Sequence, residues 1–334
     1  MSLLKRSRSC RRTAATTPLP TVTIAISTLN RRDSLERTLG SLRLLTYPSF
    51  EVVVVDGPST DGTDEMLKDF AEEVRLGTCD VASLGASRNV AVAMAAGELI
   101  AFLDDDAIPP PNWLEQLVPA FTDPIVAAAG GPVFDVPLDR VEWKLCTCTR
   151  LGAVEVDSPG PIERYLGAGV DPFVYFAGCN MMIRRTALQA VNGFNPLLVG
   201  SYDDADICVR LNDAGFVLKY VESATVRHDR APNESRDEQQ RIRDPYRTII
   251  SRAAFMLQSD TTADVEVVSA ILHGWLQDWR NVANAELADG RLTQDSHRHF
   301  IERAESGVRE GLAAASTPRT LVHIPEAPRH LFAR

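Results

Sequence analysis

Three consecutive carboxylates, Asp104-Asp105-Asp106, close a short apolar run, Leu99-Ile100-Ala101-Phe102-Leu103, and Pro109-Pro110-Pro111 follow within a few residues. One Asp after a strand is ordinary turn chemistry. Three together repel one another, and a hard divalent cation is the simplest partner that neutralises them, with a solvated acidic turn as the alternative. A second acidic group, Tyr202-Asp203-Asp204-Ala205-Asp206, precedes a helical pattern through Ile207 and Leu211 that stops at Gly215. Carboxylates at a helix N-terminus complement its macrodipole and cap it, a role worth about 1 kcal/mol. His228 ends the stretch Ala224-Thr225-Val226-Arg227 and, taken alone, reads as a structural histidine. Cys146-Thr147-Cys148 lacks a second pair at zinc-site spacing and reads as structural.

These groups need elements to hold them. Leu99 to Leu103 has the pattern of a strand buried on both faces of a parallel sheet, and ligands of such sheets gather beyond the carboxyl ends of the strands. Val22 to Ser27 reads as a first strand, followed by the polar loop Thr28-Leu29-Asn30-Arg31-Arg32. A helix capped by Asp33 or Ser34 carries Leu35, Leu39, Leu42 and Leu45 at helical spacing. Glu51 to Val55 is a second strand, ending in the Gly/Pro turn Asp56-Gly57-Pro58-Ser59-Thr60-Asp61-Gly62-Thr63. A third unit begins near Val81, and Gly85-Ala86-Ser87-Arg88-Asn89 opens an alanine-rich helix. The alternation predicts parallel βαβ units with right-handed crossovers. A helix over Trp113 to Phe121 and a strand over Ile125 to Ala129 come next, and the pattern then blurs from Asp135 to Pro172. Regular order returns at Phe173 to Phe176, runs through Ala177-Gly178-Cys179-Asn180, and resumes with strands at Met181 to Ile183, Phe216 to Val221 and Ala224 to His228. Residues 231–245 read as a polar loop or lid, and helices follow from Tyr246. Val265, Val268, Ile271, Leu272, Trp275, Leu276 and Trp279 form an amphipathic stripe, expected to pack on the main domain, with a partner or membrane surface as the alternative.

Composition bounds the function classes. The 334 residues carry a formal net charge of −10, which argues against a nucleic-acid backbone as partner. No apolar run approaches the roughly 20 residues that span a bilayer. The arm 1–20 holds Lys5, Arg6, Arg8, Arg11 and Arg12 without an apolar centre, so it reads as a disordered basic segment and not as a secretory signal. Six cysteines in a chain of this size do not form a disulfide framework, and a cytoplasmic setting is expected, with peripheral contact at the inner membrane face left open.

Read in order, these motifs resemble glycosyltransferase family 2, the inverting sugar-nucleotide transferases with the GT-A fold. Thr28-Leu29-Asn30-Arg31 matches its first turn, Val55 to Thr63 its second acidic turn, Arg88-Asn89 the segment before its metal motif, and Phe102 to Asp106 that Asp-x-Asp motif. Gly193-Phe194, Asp203-Asp204-Ala205-Asp206 and His228 match the downstream signature. The resemblance implies an α/β fold, a mostly parallel central sheet with flanking helices over 21–230, and a mostly helical extension over 231–334. It implies Mn2+ or Mg2+ held by Asp106, Asp104 and His228 against a donor diphosphate. It also implies donor contacts from Thr28, Asn30, Asp56, Asp61, Arg88, Asp104 and Asp105, and sugar or acceptor contacts from Gly178, Asn180 and Asp203. Asp204 is the expected general base, its pKa raised by Asp203 and Asp206. Two positions depart from the family pattern: Gly57 stands where many relatives carry a second Asp, and Leu29 where many carry Tyr.

The implied reaction moves a sugar from a nucleoside-diphosphate donor, UDP being the commonest, to an acceptor hydroxyl. Glycan, lipid-linked and small-molecule acceptors all remain open. A nucleotidyltransferase would want a glycine-rich loop after the first strand, and Ser27-Thr28-Leu29-Asn30 has none. A non-catalytic sugar-nucleotide binder would be expected to lack the metal or base carboxylates, and both groups are present.

Overall fold

The computed structural model describes residues 19–136, 139–231, 235–237, 239, 241–259, 264–315, 319 and 322–328. The basic arm therefore lies almost wholly outside the described residues, as do parts of the expected loop 231–245.

Strands with apolar side chains on both faces need cover on both sides, and the first half of the chain supplies it. β1 (Val22–Thr28) and β2 (Phe50–Asp56) flank α1 (Arg32–Leu42), which buries Leu35, Leu39 and Leu42. The helix starts one residue before the expected Asp33 or Ser34 cap, and Ser34 Oγ instead donates to Arg31 O at 3.1 Å. α2 (Thr63–Leu67) leads to β3 (Arg75–Thr78), an edge strand that alternates half-buried and exposed positions. So polar a strand leaves little signal, which is why the third unit reads as beginning later, near Val81. α3 (Leu84–Met94), whose first turn is capped by the Ser83 hydroxyl accepting from Ala86 N at 3.3 Å, returns the chain to β4 (Leu99–Phe102).

β5 (Ala107–Ile108) follows the acidic cluster directly and precedes α4 (Trp113–Leu117). The helix expected to reach Phe121 tightens to a 3-10 turn over Val118–Thr122, where Pro119 cannot donate a helical hydrogen bond. β6 (Val126–Gly130), β7 (Val133–Asp135) and β8 (Arg140–Trp143) come next. β9 (Cys146–Cys148) and β10 (Val154–Glu155) are short strands in the stretch whose pattern blurs. β11 (Phe173–Tyr175), β12 (Met181–Arg184), α5 (Arg185–Ala190), α6 (Asp203–Asp213), β13 (Val217–Tyr220) and β14 (Val226–His228) complete the α/β part. α7 (Tyr246–Ser259), α8 (Val265–Ala288) and α9 (Gln294–Ala315) follow.

The central sheet has the order β13-β6-β12-β4-β1-β2-β3. Every neighbouring pair is parallel except those of β12, which runs antiparallel to both β4 and β6. The chain moves outward from β1 to β3 and then crosses to the other flank of β1, so β1 and β4 form a topological switch point. Alternate side chains divide between the two faces. Val53, Val55, Ile100 and Phe102 join a core with α3, α5, α6 and the C-terminal helices. Val52, Val54, Leu99 and Ala101 join a second core with α1, α2 and α4. Val268, Leu272 and Leu276 of α8 are buried in the first core, as the stripe predicts, while Val265 stays 54% exposed. The extension thus shares a core with the sheet. No described helix is long and apolar enough to cross a membrane.

Candidate active site

Both acidic groups line one cavity of about 880 Å³ at the carboxyl ends of β1 and β4. Sheet register explains how. β5 begins immediately after Asp106, and β14 pairs with it so that His228 faces Ala107. The imidazole is thereby set beside the cluster, with Nε2 3.0 Å from Asp106 Oδ1. Because β12 runs antiparallel to β4, with Met181 opposite Phe102, the loop leading into β12 lies against the end of β4. That register brings Gly178 and Cys179 to Asp104.

The three carboxylates of the first cluster differ. Asp105 points inward and accepts from Thr28 Oγ1 at 2.7 Å, and burial, then the charge of Asp106, push its carboxyl up to about 7. Asp106 accepts from Arg31 Nη1 and Ala231 N, each at 3.0 Å, in addition to His228. Burial opposes its charge, but His228 and Arg31 prevail and hold it well below the usual carboxylate range. The same contact with Asp106 holds His228 above its ordinary value against the effect of burial. Asp104 is 34% exposed to the cavity and meets Arg88 Nη2 at 3.2 Å.

Arg88 joins the clusters. It projects from α3 with its guanidinium over the rings of Phe102 and Phe194, at 5.7 and 5.5 Å from their centroids. Its neighbour Asn89 fixes the Phe194 backbone by donating to the carbonyl and accepting from the N–H, both at 2.8 Å. Arg88 forms a buried ion pair with Asp203 and donates to Gly178 O at 3.3 Å. Any side chain at Gly178 would run into this guanidinium. Burial disfavours the charge of Arg88, but Asp203, Asp104 and Asp204 outweigh it and raise its pKa.

The second cluster hangs on Tyr202, whose φ of +63° lies in the left-handed region. Such a backbone costs a tyrosine about 1–3 kcal/mol unless its surroundings hold it. Here the ring stacks on Phe255 at 5.1 Å and the hydroxyl donates to Gly152 O at 2.9 Å. α6 then starts at Asp203. Asp204 accepts from Ala205 N at 2.8 Å and from Gly178 N at 3.2 Å. Burial, then the Asp203 carboxylate, push Asp204 up to about 7, with Arg88 and the two N–H groups opposing.

Other expected positions are placed differently. Asn180 turns away from the cavity: Trp113 Nε1 donates to it at 2.8 Å, and its amide donates to Pro132 O and Ala224 O at 3.0 and 2.7 Å. Its polar capacity is spent inside the fold, so it pins the β12 loop and offers nothing to a ligand. Asp61 is likewise occupied, accepting from Arg32 N at 3.0 Å and from Thr63 Oγ1 at 2.6 Å. Asn30 ties the first turn to the second by accepting from Thr60 N at 2.7 Å, and it lines the cavity, as does Thr28. Asp56 is buried at the end of β2 and accepts from Ser59 Oγ at 2.6 Å; burial raises its carboxyl despite that bond. Arg31, Trp143, Cys179, Tyr202 and Arg236 also line the cavity and were not among the expected site residues. Three of these had a local signal, Arg31 next to Asn30 in the first polar turn, Cys179 between Gly178 and Asn180, and Tyr202 next to Asp203, whereas Trp143 and Arg236 had none.

A mostly parallel sheet with one antiparallel strand beside its acidic loop, and helices over both faces, is the GT-A fold of glycosyltransferases. The sequence profile of glycosyl transferase family 2 matches residues 23–191, about half of the chain, and the chain belongs to that family. It is 27% identical over 286 residues to the pre-mycofactocin glycosyltransferase of Mycobacterium tuberculosis, covering 76% of this chain and 52% of that protein. The chain thus spans about half the length of that relative. Glycosyltransferase AglE of Haloferax volcanii is 33% identical over 227 residues, covering 65% of this chain and 69% of the relative. Among solved structures, GalNAc-T7 with UDP, GalNAc and Mn2+ superposes with a TM-score of 0.56 at 17% identity, covering 72% of this chain and 48% of that one.

Proposed function

We propose that this chain transfers a sugar from a nucleoside-diphosphate donor to an acceptor hydroxyl in a single displacement that inverts the anomeric centre. The observation that carries the reading is Asp204, a cavity-lining carboxylate raised to about 7 and fixed by two backbone N–H groups, beside a guanidinium that also reaches Asp104. Family membership and the GalNAc-T7 likeness support a nucleotide-sugar donor, with UDP first among the nucleotides.

A hard divalent cation fits the donor set: the partly exposed Asp104, Asp106 and the imidazole of His228 offer oxygen and nitrogen ligands suited to Mn2+ or Mg2+. When bound, such an ion supplies positive charge to the departing diphosphate. Arg88 adds a fixed cation beside it and orients the phosphate oxygens. Asp204 takes the proton of the acceptor hydroxyl as its oxygen forms the bond to the anomeric carbon. The bond from that carbon to the diphosphate breaks, and its electron pair leaves with the nucleoside diphosphate. Thr28 and Asn30 form the nucleoside end of the site, with Asp56 buried behind them and outside the cavity lining, while Gly178 and Asp203 shape the sugar end through Arg88.

A screen of nucleoside-diphosphate sugars with and without Mn2+ tests this reading, because a ligand of the native state raises the melting midpoint. At least one donor should raise Tm only when Mn2+ is present, and that donor should be consumed when acceptors are supplied. A protein that no nucleoside-diphosphate sugar stabilises, and that consumes none, does not perform this reaction.

A further inference from the structure

The family profile stops at residue 191, yet the segment after α9 returns to the α/β part and grips it at two points. The first is Asp206, two residues beyond Asp204 on α6, which has no exposed surface and to which the transfer reaction assigns nothing. Arg210, one turn further on, donates to Asp206 Oδ2 from Nε at 3.0 Å and from Nη2 at 2.7 Å. The remaining oxygen, Oδ1, accepts at 2.8 Å from Nη2 of Arg319. The same nitrogen donates to Gln258 O, near the end of α7, at 3.0 Å. The second point is the turn before Phe194. Val322 N donates to Asn192 O at 3.3 Å, and Ile324 is buried against Gly193. Pro325 O accepts from Arg185 Nη1 and Gln189 Nε2 of α5, both at 3.2 Å.

Both points bear on Arg88. Phe194 follows Gly193 and its ring lies against the guanidinium, while Asp203 at the start of α6 pairs with it. Arg210 joins the two from within by donating to Val191 O at 2.6 Å. A carboxylate without exposed surface cannot turn to water, so a guanidinium on each oxygen fixes both its place and the helix that carries it. Asp204 is held by Ala205 N of that helix and by Gly178 N, so the position of α6 sets where its carboxylate stands. We propose that Arg319 is a positioning residue for the sugar transfer. It pins Asp206, and thereby the first turn of α6, so that Asp204 stands where the acceptor hydroxyl gives up its proton. Arg319 lies outside the cavity lining, and this role presupposes the transfer proposed above. Displacing a reacting group by about 1 Å can cost about 10²-fold in rate even when the altered residue is remote.

The test uses the full chain with Arg319→Met and Arg319→Lys, assayed well below every melting midpoint with the donor and acceptor consumed in the screen above. Arg319→Met removes the charge and keeps an apolar stem. Its kcat should fall by about 10- to 100-fold while the donor KM stays near that of the unaltered chain. Arg319→Lys should recover most of that loss, because a single nitrogen of Arg319 makes both bonds and an ammonium can make them too. A lowered Tm with unchanged kcat in Arg319→Met is a purely structural role and overturns the proposal, as do equal losses with Met and Lys. Where Arg319→Met fails to fold, Arg319→Gln, whose amide can still donate to Gln258 O, takes its place with the same outcomes. Amide hydrogen exchange reads the grip without turnover: residues 206–209 of α6 should exchange faster in Arg319→Met, and α1 should not change. No local change on α6 overturns the proposal. A chain that shows the change but transfers no sugar refutes the reaction proposed above and leaves the hold of Arg319 on α6 standing.

Discussion

At the end of β4, Asp106 is held ionised by Arg31 and His228, whereas at the start of α6 Asp204 meets burial with backbone N–H groups and a guanidinium it shares with other carboxylates. The two clusters are equally acidic in sequence and line the same cavity. Their difference lies in who supplies the counter-charge. A carboxylate with dedicated cations keeps its charge and anchors others; one that must share stays near the point of taking a proton. Arg88 lies between them, paired with Asp203 on one side and Asp104 on the other.

The largest effect that would break this contrast is on turnover. Asp204→Asn should lower the transfer rate by about 10²–10⁴ while leaving Mn2+-dependent donor binding intact; normal turnover would return Asp204 to a capping role. Next in size is stability at the first cluster. Asp106→Ala strands the buried charges of Arg31 and His228, and urea unfolding should show a loss of about 3–5 kcal/mol. Asp104→Asn, at a 34% exposed carboxylate, should cost about 1 kcal/mol or less by the same measurement, so equal losses would erase the distinction within the cluster.

The pH dependence should carry opposite signs at the two sites. The folded pKa of Asp204 is raised from 3.8 to about 7, so its contribution to stability is present below 3.8 and is lost as pH rises through about 7. Asp204→Asn should therefore raise Tm by several degrees at pH 8 and leave it nearly unchanged at pH 4. The folded pKa of Asp106 is depressed, so its contribution is present above 3.8 and fades only as pH falls below that value. Asp106→Asn should accordingly lower Tm at pH 8. Transfer by the unaltered protein should rise about tenfold per pH unit below 7 and level off above it, since Asp204 must be unprotonated to act. Between the two substitutions in the first cluster falls Thr28→Val, which removes the hydroxyl that donates to Asp105 and should cost about 1–2 kcal/mol in urea without touching Asp204's rate profile.

Much of this arrangement could be read from the residues. β2 after Glu51 and β4 are continuous apolar runs, β1 is rich in β-branched residues, and all three end in acids or turn residues, so both their burial and the side on which ligands collect follow from pattern alone. The direction of β12 does not. Met181-Met182-Ile183 is equally apolar whichever way it runs, and only the antiparallel pairing carries Cys179 to Asp104. The inward turn of Asn180 is hidden for the same reason, since its partners Trp113, Pro132 and Ala224 come from three separate segments. Trp143 stands in a stretch where short strands, proline and charge mix, and no period marks it. Asp61 reads as ligand-facing because its turn matches a family motif, yet the first demand on its carboxylate is the start of α2 beside it.

Until Met181–Arg184 leave the ribosome, β4 has a neighbour on one flank only. Its four residues, Leu99 to Phe102, end up no more than 1% exposed, so the half-made sheet presents an apolar edge with open backbone groups. Such an edge invites pairing with another chain. A nascent chain stalled within the preceding loops thus carries a strand edge open to pairing with another chain. The late arrival of one reversed strand both seals that edge and delivers the cysteine that completes the cavity wall.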